Sequence, residues 1–302
     1  MASQESLESL HHSFNRSLRV QGKADRTLTL YGQSIVYFSR WLAQGGQPTD
    51  LSSLTRTNAL KWLDSLRERG QTTGTVRTRW RGLRRFVGWL VTEEILGADP
   101  LAGIAVDAPV PPVVPILTDA DLTGLLDACK GKGFRQRRDE ALIRLLLDCG
   151  LRASELVGID CKDLDLDAGS VAVTGKGSRV RMAYFGSRTA LALDRYQRER
   201  RGHRYAPDPG LFLSERGRLT TDGVRERLRV RAAQAGLDPA TVHPHRFRHT
   251  WAHDFLLHQG QERDLKRLAG WSSDAMLSRY GASAADQRAR EAAQRLRRGD
   301  RV

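Results

Sequence analysis

Residues 150–156 read Gly-Leu-Arg-Ala-Ser-Glu-Leu and follow an apolar run at residues 139–147. The apolar run predicts a buried helix that ends at Gly150, because glycine commonly terminates helices. Arg152 would then begin the next helix, where its guanidinium could bind a phosphate together with free backbone N–H groups. Taken alone, Arg152 could equally be a surface residue after a terminal glycine.

Residues 170–185 alternate β-branched and polar side chains on both sides of Gly175-Lys176-Gly177-Ser178. This alternation around glycines predicts a β-hairpin with a tight turn. Lys176 would lie at the tip, from which it could reach a bound substrate. Because lysines are common on exposed turns, this position is informative only in combination with others.

Residues 243–249 read His-Pro-His-Arg-Phe-Arg-His and predict the start of another helix, since proline suits the first helical turn. His245 and Arg248 are three positions apart and therefore share one face of that helix. Farther along, Trp271 precedes Tyr280 by nine positions. Taken alone, such a tyrosine is most often a packed or surface aromatic residue.

The net charge indicates the class of partner. In this chain of 302 residues, 49 lysines and arginines outnumber 35 aspartates and glutamates, and the resulting charge of +14 favours polyanionic partners, nucleic acid above all.

With 40% hydrophobic and 28% charged residues, and no long apolar run, the chain is neither disordered nor a membrane protein. It lacks a secretion signal, Cys-x-x-Cys spacing and a His-Glu-x-x-His motif. We therefore expect a cytoplasmic protein with reduced cysteines and no bound metal.

The apolar pattern predicts two domains. Residues 1–97 contain four helical segments, and residues 98–117 hold five of the ten prolines, which predicts an extended linker before a second domain at residues 118–302. The fourth helix would carry a row of arginines beside its apolar stripe. This row is either a solvated face or a contact surface for DNA phosphates, and the net charge favours DNA. Its members are Arg77, Arg81, Arg84 and Arg85.

Combined, these motifs resemble those of the tyrosine recombinases, also called the phage integrase family. That family has, in order, an arginine, a lysine, His-x-x-Arg, a histidine or tryptophan, and a tyrosine. The matching residues here are Arg152, Lys176, His245, Arg248, Trp271 and Tyr280, and the Gly-Leu-Arg-x-Ser-Glu-Leu context adds Glu155. The gaps of 24 positions from arginine to lysine and nine from tryptophan to tyrosine are similar to those of the Xer branch. Tryptophan stands where the family more often has histidine, as in Cre-like recombinases, so that position can donate to phosphate but cannot transfer a proton.

The resemblance implies a mainly α fold with a small antiparallel β-sheet. Residues 1–97 would form a helical core-binding (SAM-like) domain that binds DNA, and residues 118–302 a mixed α/β catalytic domain with a C-terminal helix at 284–298. The implied function is site-specific recombination of double-stranded DNA by a homotetramer, through a 3′-phosphotyrosyl intermediate and a Holliday junction. Neither ATP nor any other cofactor is implied.

The resemblance also implies a role for each matching residue. Tyr280 would be the nucleophile, His245 the base that activates it, and Lys176 the acid that protonates the leaving 5′-oxygen. The two arginines and the tryptophan would bind the nonbridging phosphate oxygens, and the glutamate would orient its neighbours.

Two alternatives stay open. A type IB topoisomerase shares much of this chemistry, but the Gly-Leu-Arg-x-Ser-Glu-Leu motif and the N-terminal helical domain count against it. A DNA-binding protein without catalysis would not need all six catalytic positions filled. Because little chain precedes residue 8, we expect no arm-binding domain, which favours a simple recombinase of Xer-like or Cre-like type or a small mobile-element integrase.

Residues 284–298 place a narrow apolar stripe on one helical face, formed by Ala285, Ala289, Ala292 and Leu296. In related recombinases the segment after the tyrosine docks on the neighbouring protomer. We therefore expect this helix to dock in trans within a closed ring of protomers, the alternative being a solvated terminal helix.

Overall fold

The computed structural model describes residues 5–108, 114–175, 177–297 and 299–301, with the backbone alone at residues 279, 282, 283, 286 and 301. The chain divides into two compact units, Met1–Pro111 and Pro112–Val302. The fold is mainly helical with a small antiparallel sheet, which confirms the predicted fold class. No helix within the described ranges is long and apolar enough to cross a membrane.

The first unit contains the four predicted helices, which are α1 (Leu7–Val20), α2 (Asp25–Gln44), α3 (Arg56–Glu68) and α4 (Thr73–Thr92). Ser6, Thr55 and Thr72 precede α1, α3 and α4, and each hydroxyl accepts the backbone N–H three residues further on. The helices α2 and α4 cross closely at Gly82, where an added Cβ would lie 2.3 Å from the Oγ of Ser34.

The stretch between the two hydrophobic cores is shorter than the predicted linker, residues 98–117. Leu101 and Ile104 are buried in the core of the first unit, and Leu117 is buried in that of the second. Proline removes a backbone donor but does not prevent neighbouring apolar side chains from packing, so both ends of the predicted linker join a core. Residues 109–113 lie outside the described residues.

The second unit combines helices with short strands. The described helices are α5 (Asp119–Asp127), α6 (Phe134–Cys149), α7 (Ala153–Gly158), α8 (Ser187–Arg201), α9 (Thr221–Gln234), α10 (Pro244–Leu257), α11 (Glu262–Ala269) and α12 (Asp274–Arg295). The strands are β1 (Leu164–Asp165), β2 (Ser170–Thr174), β3 (Val180–Tyr184), β4 (Leu213–Ser214) and β5 (Gly217–Arg218).

The predicted β-hairpin is formed by β2 and β3. Strands β1, β2 and β3 pair antiparallel in that order, and β4 pairs antiparallel with β5. In the hairpin, Val171 pairs with Ala183 and Val173 pairs with Arg181. Because side chains alternate between the faces of a strand, Arg181 shares the buried face of β3 with Ala183.

A buried ion network joins α6 to α9. Asp139 accepts a hydrogen bond from the Nε of Arg138 at 2.9 Å and from the Nε of Arg231 at 2.8 Å. Arg138 also donates to the carbonyl of Leu213 at 3.1 Å, and Arg231 to that of Ala128 at 2.6 Å. All three charged side chains are buried, so the carboxylate of Asp139 compensates two cations that are largely removed from water.

The C-terminal helix differs from the one predicted at residues 284–298. The structure begins α12 at Asp274 and ends it at Arg295, so Tyr280 lies on the same helix as the tail. Glycine and serine are weak helix formers, and Gly281 lies among several serines, so local propensity conceals the start of this helix. Tertiary packing overrides propensity here: an added Cβ on Gly281 would lie 3.0 Å from the Cδ1 of Leu256 on α10.

Candidate active site

The turn between α6 and α7 carries the first candidate residues. Gly150 ends α6 in the left-handed conformation, with φ of 55°, and an added Cβ there would lie 2.2 Å from the Cε3 of Trp251. Arg152 follows and caps α7 together with Glu155. The backbone N–H of Arg152 donates to Oε2 of Glu155 at 2.9 Å, and its Nη1 donates to Oε1 at 2.6 Å.

The carboxylate of Glu155 is buried among three arginines. Besides the bonds from Arg152, it accepts one from the Nη2 of Arg181 at 3.1 Å, and the Nη1 of Arg248 lies 3.9 Å away. Burial alone raises the pKa of this carboxyl, but Arg181, the Arg152 N–H and the charges of Arg152 and Arg248 outweigh burial and hold the pKa below its ordinary value. Glu155 is therefore an anion that holds three guanidinium groups near one point.

Arg248 is 1% exposed on α10, and two carbonyl groups fix its guanidinium. Its Nη1 donates to the oxygen of Gly150 and its Nη2 to that of Ala269, each at 2.6 Å. Burial, followed by repulsion from Arg152, lowers the pKa of Arg248 to about 10. The side chain therefore remains a cation at neutral pH.

Tyr280 is 3% exposed, and aromatic rings pack around it. Its ring lies nearly parallel to that of His249, with centroids 4.1 Å apart, and to that of Trp271, with centroids 4.8 Å apart. Its Oη lies 3.1 Å from Nδ1 and 3.4 Å from Nε2 of His245, which is exposed. The Nε2 of His249 is in turn 3.3 Å from the Nε2 of His245. The phenol oxygen is thus within reach of a base.

Three buried N–H groups of these residues have no hydrogen-bond partner in the described part of the chain. They are the Nε of Arg248, the Nε1 of Trp271 and the Nη1 of Arg181. A buried donor without a partner costs about 1–3 kcal/mol, so these groups are poised to bind an acceptor that the described residues do not supply. With their cationic neighbours they can bind an anion such as a phosphate group. Within the described ranges, no group of three or more His, Cys, Asp or Glu side chains could hold a metal ion.

Known proteins have related sequences. Residues 115–287 match the model of the Phage integrase family. The tyrosine recombinase XerD of Pseudomonas putida is 30% identical over 256 residues, which cover 83% of this chain and 85% of that relative. The chain belongs to the phage integrase family. The tyrosine recombinase XerC of Salmonella typhi is 35% identical over 206 residues, or 68% of this chain and 67% of that relative. The protein is thus a tyrosine recombinase, an enzyme that cuts and rejoins DNA in site-specific recombination.

Solved structures share the fold of this recombinase. The integrase of the transposon Tn1549, in complex with transposon right end DNA, has a TM-score of 0.74 at 22% identity and covers 97% of this chain and 99% of that chain. The recombinase XerH, in a post-cleavage complex with palindromic difH substrate, has a TM-score of 0.75 at 15% identity and covers 95% of this chain and 84% of that chain. At such identities the likeness shows the fold alone.

The structure brings six of the seven predicted catalytic residues of the recombinase together. They are Arg152, Glu155, His245, Arg248, Trp271 and Tyr280. Lys176, the seventh, lies outside the described residues. The backbone just before it approaches the site, because an added Cβ on Gly175 would lie 3.7 Å from the Oε1 of Glu155.

Sequence reasoning missed Arg181 and His249. An arginine at a position of β3 that alternation assigns to the buried face is a signal for Arg181, because buried arginines need a partner. For His249 the signal is its spacing, since it follows His245 by one helical turn on α10. Neither signal says which distant residue would be the partner.

The arginines predicted to contact DNA lie on α4 of the first unit. Arg81, Arg84 and Arg85 are exposed, and Arg77 is half-buried. Arg84 lies 3.7 Å from Asp99. Because such a partly exposed pair is worth only about 0–1 kcal/mol, it leaves Arg84 able to bind another anion.

Proposed function

We propose that this recombinase cuts DNA with Tyr280 as the nucleophile and forms a 3′-phosphotyrosyl linkage. One arrangement supports this role: the Oη of Tyr280 lies 3.1 Å from a ring nitrogen of His245, and the neighbouring Arg248 and Trp271 each have a buried donor with no partner in the described part of the chain. A phosphodiester resists attack because it is anionic, so a nucleophile with an adjacent base and preset donors is the combination that the reaction needs.

In the proposed cleavage step, the oxygen of Tyr280 bonds to phosphorus while its proton passes to His245. The bond from phosphorus to the 5′-oxygen breaks, and that oxygen takes a proton, which we assign to Lys176. In the return step a 5′-hydroxyl attacks the phosphotyrosine, which restores a phosphodiester and frees the tyrosine. Because the phosphotyrosyl linkage replaces one ester by another, the steps balance without ATP.

The remaining residues of the site neutralise or align charge in this scheme. The side chain of Arg152 is 38% exposed and can contact a nonbridging oxygen directly. Arg248 and Trp271 offer their buried N–H groups to the same phosphate. We assign Glu155 to orientation, because its carboxylate already binds the guanidinium groups that would face the substrate.

The proposed substrate is double-stranded DNA that carries recombination sites. The related integrase and XerH structures are complexes with transposon right end DNA and with difH, respectively. We assign the helical unit of residues 1–97 to binding the duplex, with the exposed arginines of α4 on its phosphates, and residues 118–302 to catalysis. The net charge of +14 supports this assignment, since counterion release from DNA favours basic proteins.

We further propose that four copies exchange strands through a Holliday junction, and that the end of α12 docks on a neighbouring copy. Within its own chain α12 is anchored by Ala284, which is buried, and by Arg288, whose Nη1 donates to Glu262 at 3.0 Å. Beyond these anchors Ala289 is exposed, and Leu296 is 60% exposed. Exposed apolar surface of this kind is typical of protein–protein contact sites, which supports the assignment of this end of the helix to a contact with a second protomer.

A nicked DNA substrate tests the proposed nucleophile. When cleavage releases a short strand beyond the nick, rejoining fails and the protein stays covalently attached. The wild type should accumulate this adduct, whereas Tyr280→Phe should bind the DNA and form none, and Tyr184→Phe, a change at an exposed tyrosine on β3, should behave as the wild type. Retarded DNA without adduct in the wild type would instead indicate a DNA-binding protein without catalysis.

A further inference from the structure

Arg181 on β3 is held from two sides. Its Nη2 donates to Glu155 at 3.1 Å, and its Nε donates to the carbonyl of Leu268 at 2.7 Å. Gly270 has φ of 65°, and an added Cβ there would lie 3.2 Å from the Cδ of Arg181. The guanidinium therefore links the carboxylate of Glu155 to the last turn of α11, shortly before Trp271.

The remaining nitrogen of this guanidinium, Nη1, distinguishes Arg181 from a purely structural arginine. The Nη1 of Arg181 is buried and has no hydrogen-bond partner among the described residues, and the side chain is 14% exposed. Arg218 provides a comparison, because its Nε donates to the carbonyl of Val157 at 2.8 Å and its Nη2 lies 2.8 Å from Asp160. The side chain of Arg218 is 36% exposed, so solvent can satisfy its remaining donors. Arg218 also donates to the carbonyl of Ile159 at 3.2 Å, so both arginines bind carbonyl and carboxylate groups, but only Arg181 of the two keeps a buried donor without a partner among the described residues.

The net charge of the arginine cluster around Glu155 indicates what the unpaired Nη1 of Arg181 could bind. Among the described residues, the carboxylate of Glu155 faces the guanidinium groups of Arg152, Arg181 and Arg248, a formal charge of +2. When a phenolate attacks a phosphodiester, the pentavalent phosphorane carries a formal charge of −2. Without Arg181 the fixed charge of these guanidinium and carboxylate groups would be +1, and the second negative charge of the transition state would be offset only by the protons on His245 and Lys176. Stronger binding of the transition state than of the substrate is what accelerates a reaction.

We propose that Arg181 is a third phosphate-site cation, whose Nη1 and charge stabilise the doubly negative phosphorane formed at Tyr280. The inference rests on the proposed role of Tyr280 and adds a residue outside the sequence motif. Arg152 and Arg248 balance Glu155 and the charge of the diester, and Arg181 supplies the additional charge that develops during attack.

Cleavage of two nicked DNA substrates tests this role. One carries the ordinary phosphodiester, and the other a methylphosphonate, in which a methyl group replaces one nonbridging oxygen and removes one negative charge. Arg181→Gln should cleave the diester about 100-fold more slowly than the wild type, as expected for the loss of one charge-stabilising donor. On the methylphosphonate the loss should shrink to about tenfold or less, because the additional charge is no longer needed. Arg181→Lys, which keeps the charge, should fall between the wild type and Arg181→Gln on the diester.

Arg218→Gln is the control, since it removes two bonds to carbonyl groups and one carboxylate contact outside the site. It should change cleavage of both substrates by the same factor. Each variant is compared with itself on two substrates, so a smaller fraction of folded protein lowers both rates equally and does not change their ratio. Thermal unfolding and DNA retardation measure the folded fraction and the DNA binding of each variant separately. Equal losses for Arg181→Gln on both substrates would overturn the proposal.

A second measurement applies if no protein cleaves the methylphosphonate. Free guanidinium ion should then increase the rate of diester cleavage by Arg181→Ala at least tenfold, but not the rate of Arg218→Ala. No increase for Arg181→Ala would also overturn the proposal. Failure of the proposed function itself gives a different result, because the wild type would then form no adduct on the diester.

Discussion

Replacing Glu155 with glutamine removes the negative charge that three arginines share while it keeps the shape of the side chain. The side chains of Arg248 and Arg181 are only 1% and 14% exposed and would be left without their counter-charge, whereas that of Arg152 is 38% exposed and can be hydrated. Breaking a buried ion pair from one side costs about 3–5 kcal/mol. For a unit of the size of Pro112–Val302, a loss of about 3 kcal/mol lowers the unfolding temperature by roughly 6–12 °C.

Calorimetric unfolding of the second unit in the full chain measures this change. Asp222→Asn is the control, because that side chain is 88% exposed in its pair with Arg225, and such pairs contribute only about 0–1 kcal/mol. The pKa of Glu155 is lowered in the folded protein, so its contribution is complete above the unfolded value and is lost as the pH falls through the lowered folded pKa. The difference between wild type and Glu155→Gln should therefore be full at pH 7 and shrink in acid. A loss below about 1 kcal/mol at pH 7 would refute the idea that Glu155 balances these arginines.

Three further outcomes are expected. Lys176→Ala should slow cleavage of ordinary DNA much more than cleavage of a 5′-phosphorothiolate substrate, because a sulfur leaving group needs no general acid; equal losses would remove Lys176 from that role. Asp139→Asn should destabilise the second unit by about 3 kcal/mol in thermal unfolding, since two buried cations lose their counter-charge, and an unchanged unfolding temperature would show that the network is dispensable. Truncation after Arg288 keeps the anchors of α12 in its own chain, so binding to a single site should persist while pairing of two sites is lost; recombination at the full rate would show that the tail is only a solvated end.

The motif residues could be predicted because each occurs in a local context that also determines its placement. Gly150 ends a helix and thereby orients Arg152, and the spacing from His245 to Arg248 is that of neighbours on one helical face. Arg181 could not be predicted in the same way. Its partner Leu268 lies 87 positions further along the chain, and a contact of that separation depends on how the hairpin packs against α11.

The ends of α12 and of the linker also depend on tertiary contacts that the local sequence does not reveal. Residues such as Gly281 weaken the local helix signal, and the contact with Leu256 that stabilises the helix there comes from tertiary packing. Leu101 and Leu117 lie in a proline-rich stretch whose composition indicates an extended chain, yet each joins a core. Composition describes the average of a segment, whereas burial is decided residue by residue.

Mass spectrometry of the protein recovered from a nicked DNA substrate identifies the side chain that attacks the DNA. After nuclease and protease digestion, we expect one modified peptide, with the remaining nucleotide joined through its 3′-phosphate to Tyr280. The attachment should be absent in Tyr280→Phe, with DNA binding unchanged. A nucleotide on any other side chain, or one attached through its 5′-phosphate, would contradict the assignment of Tyr280 as the nucleophile.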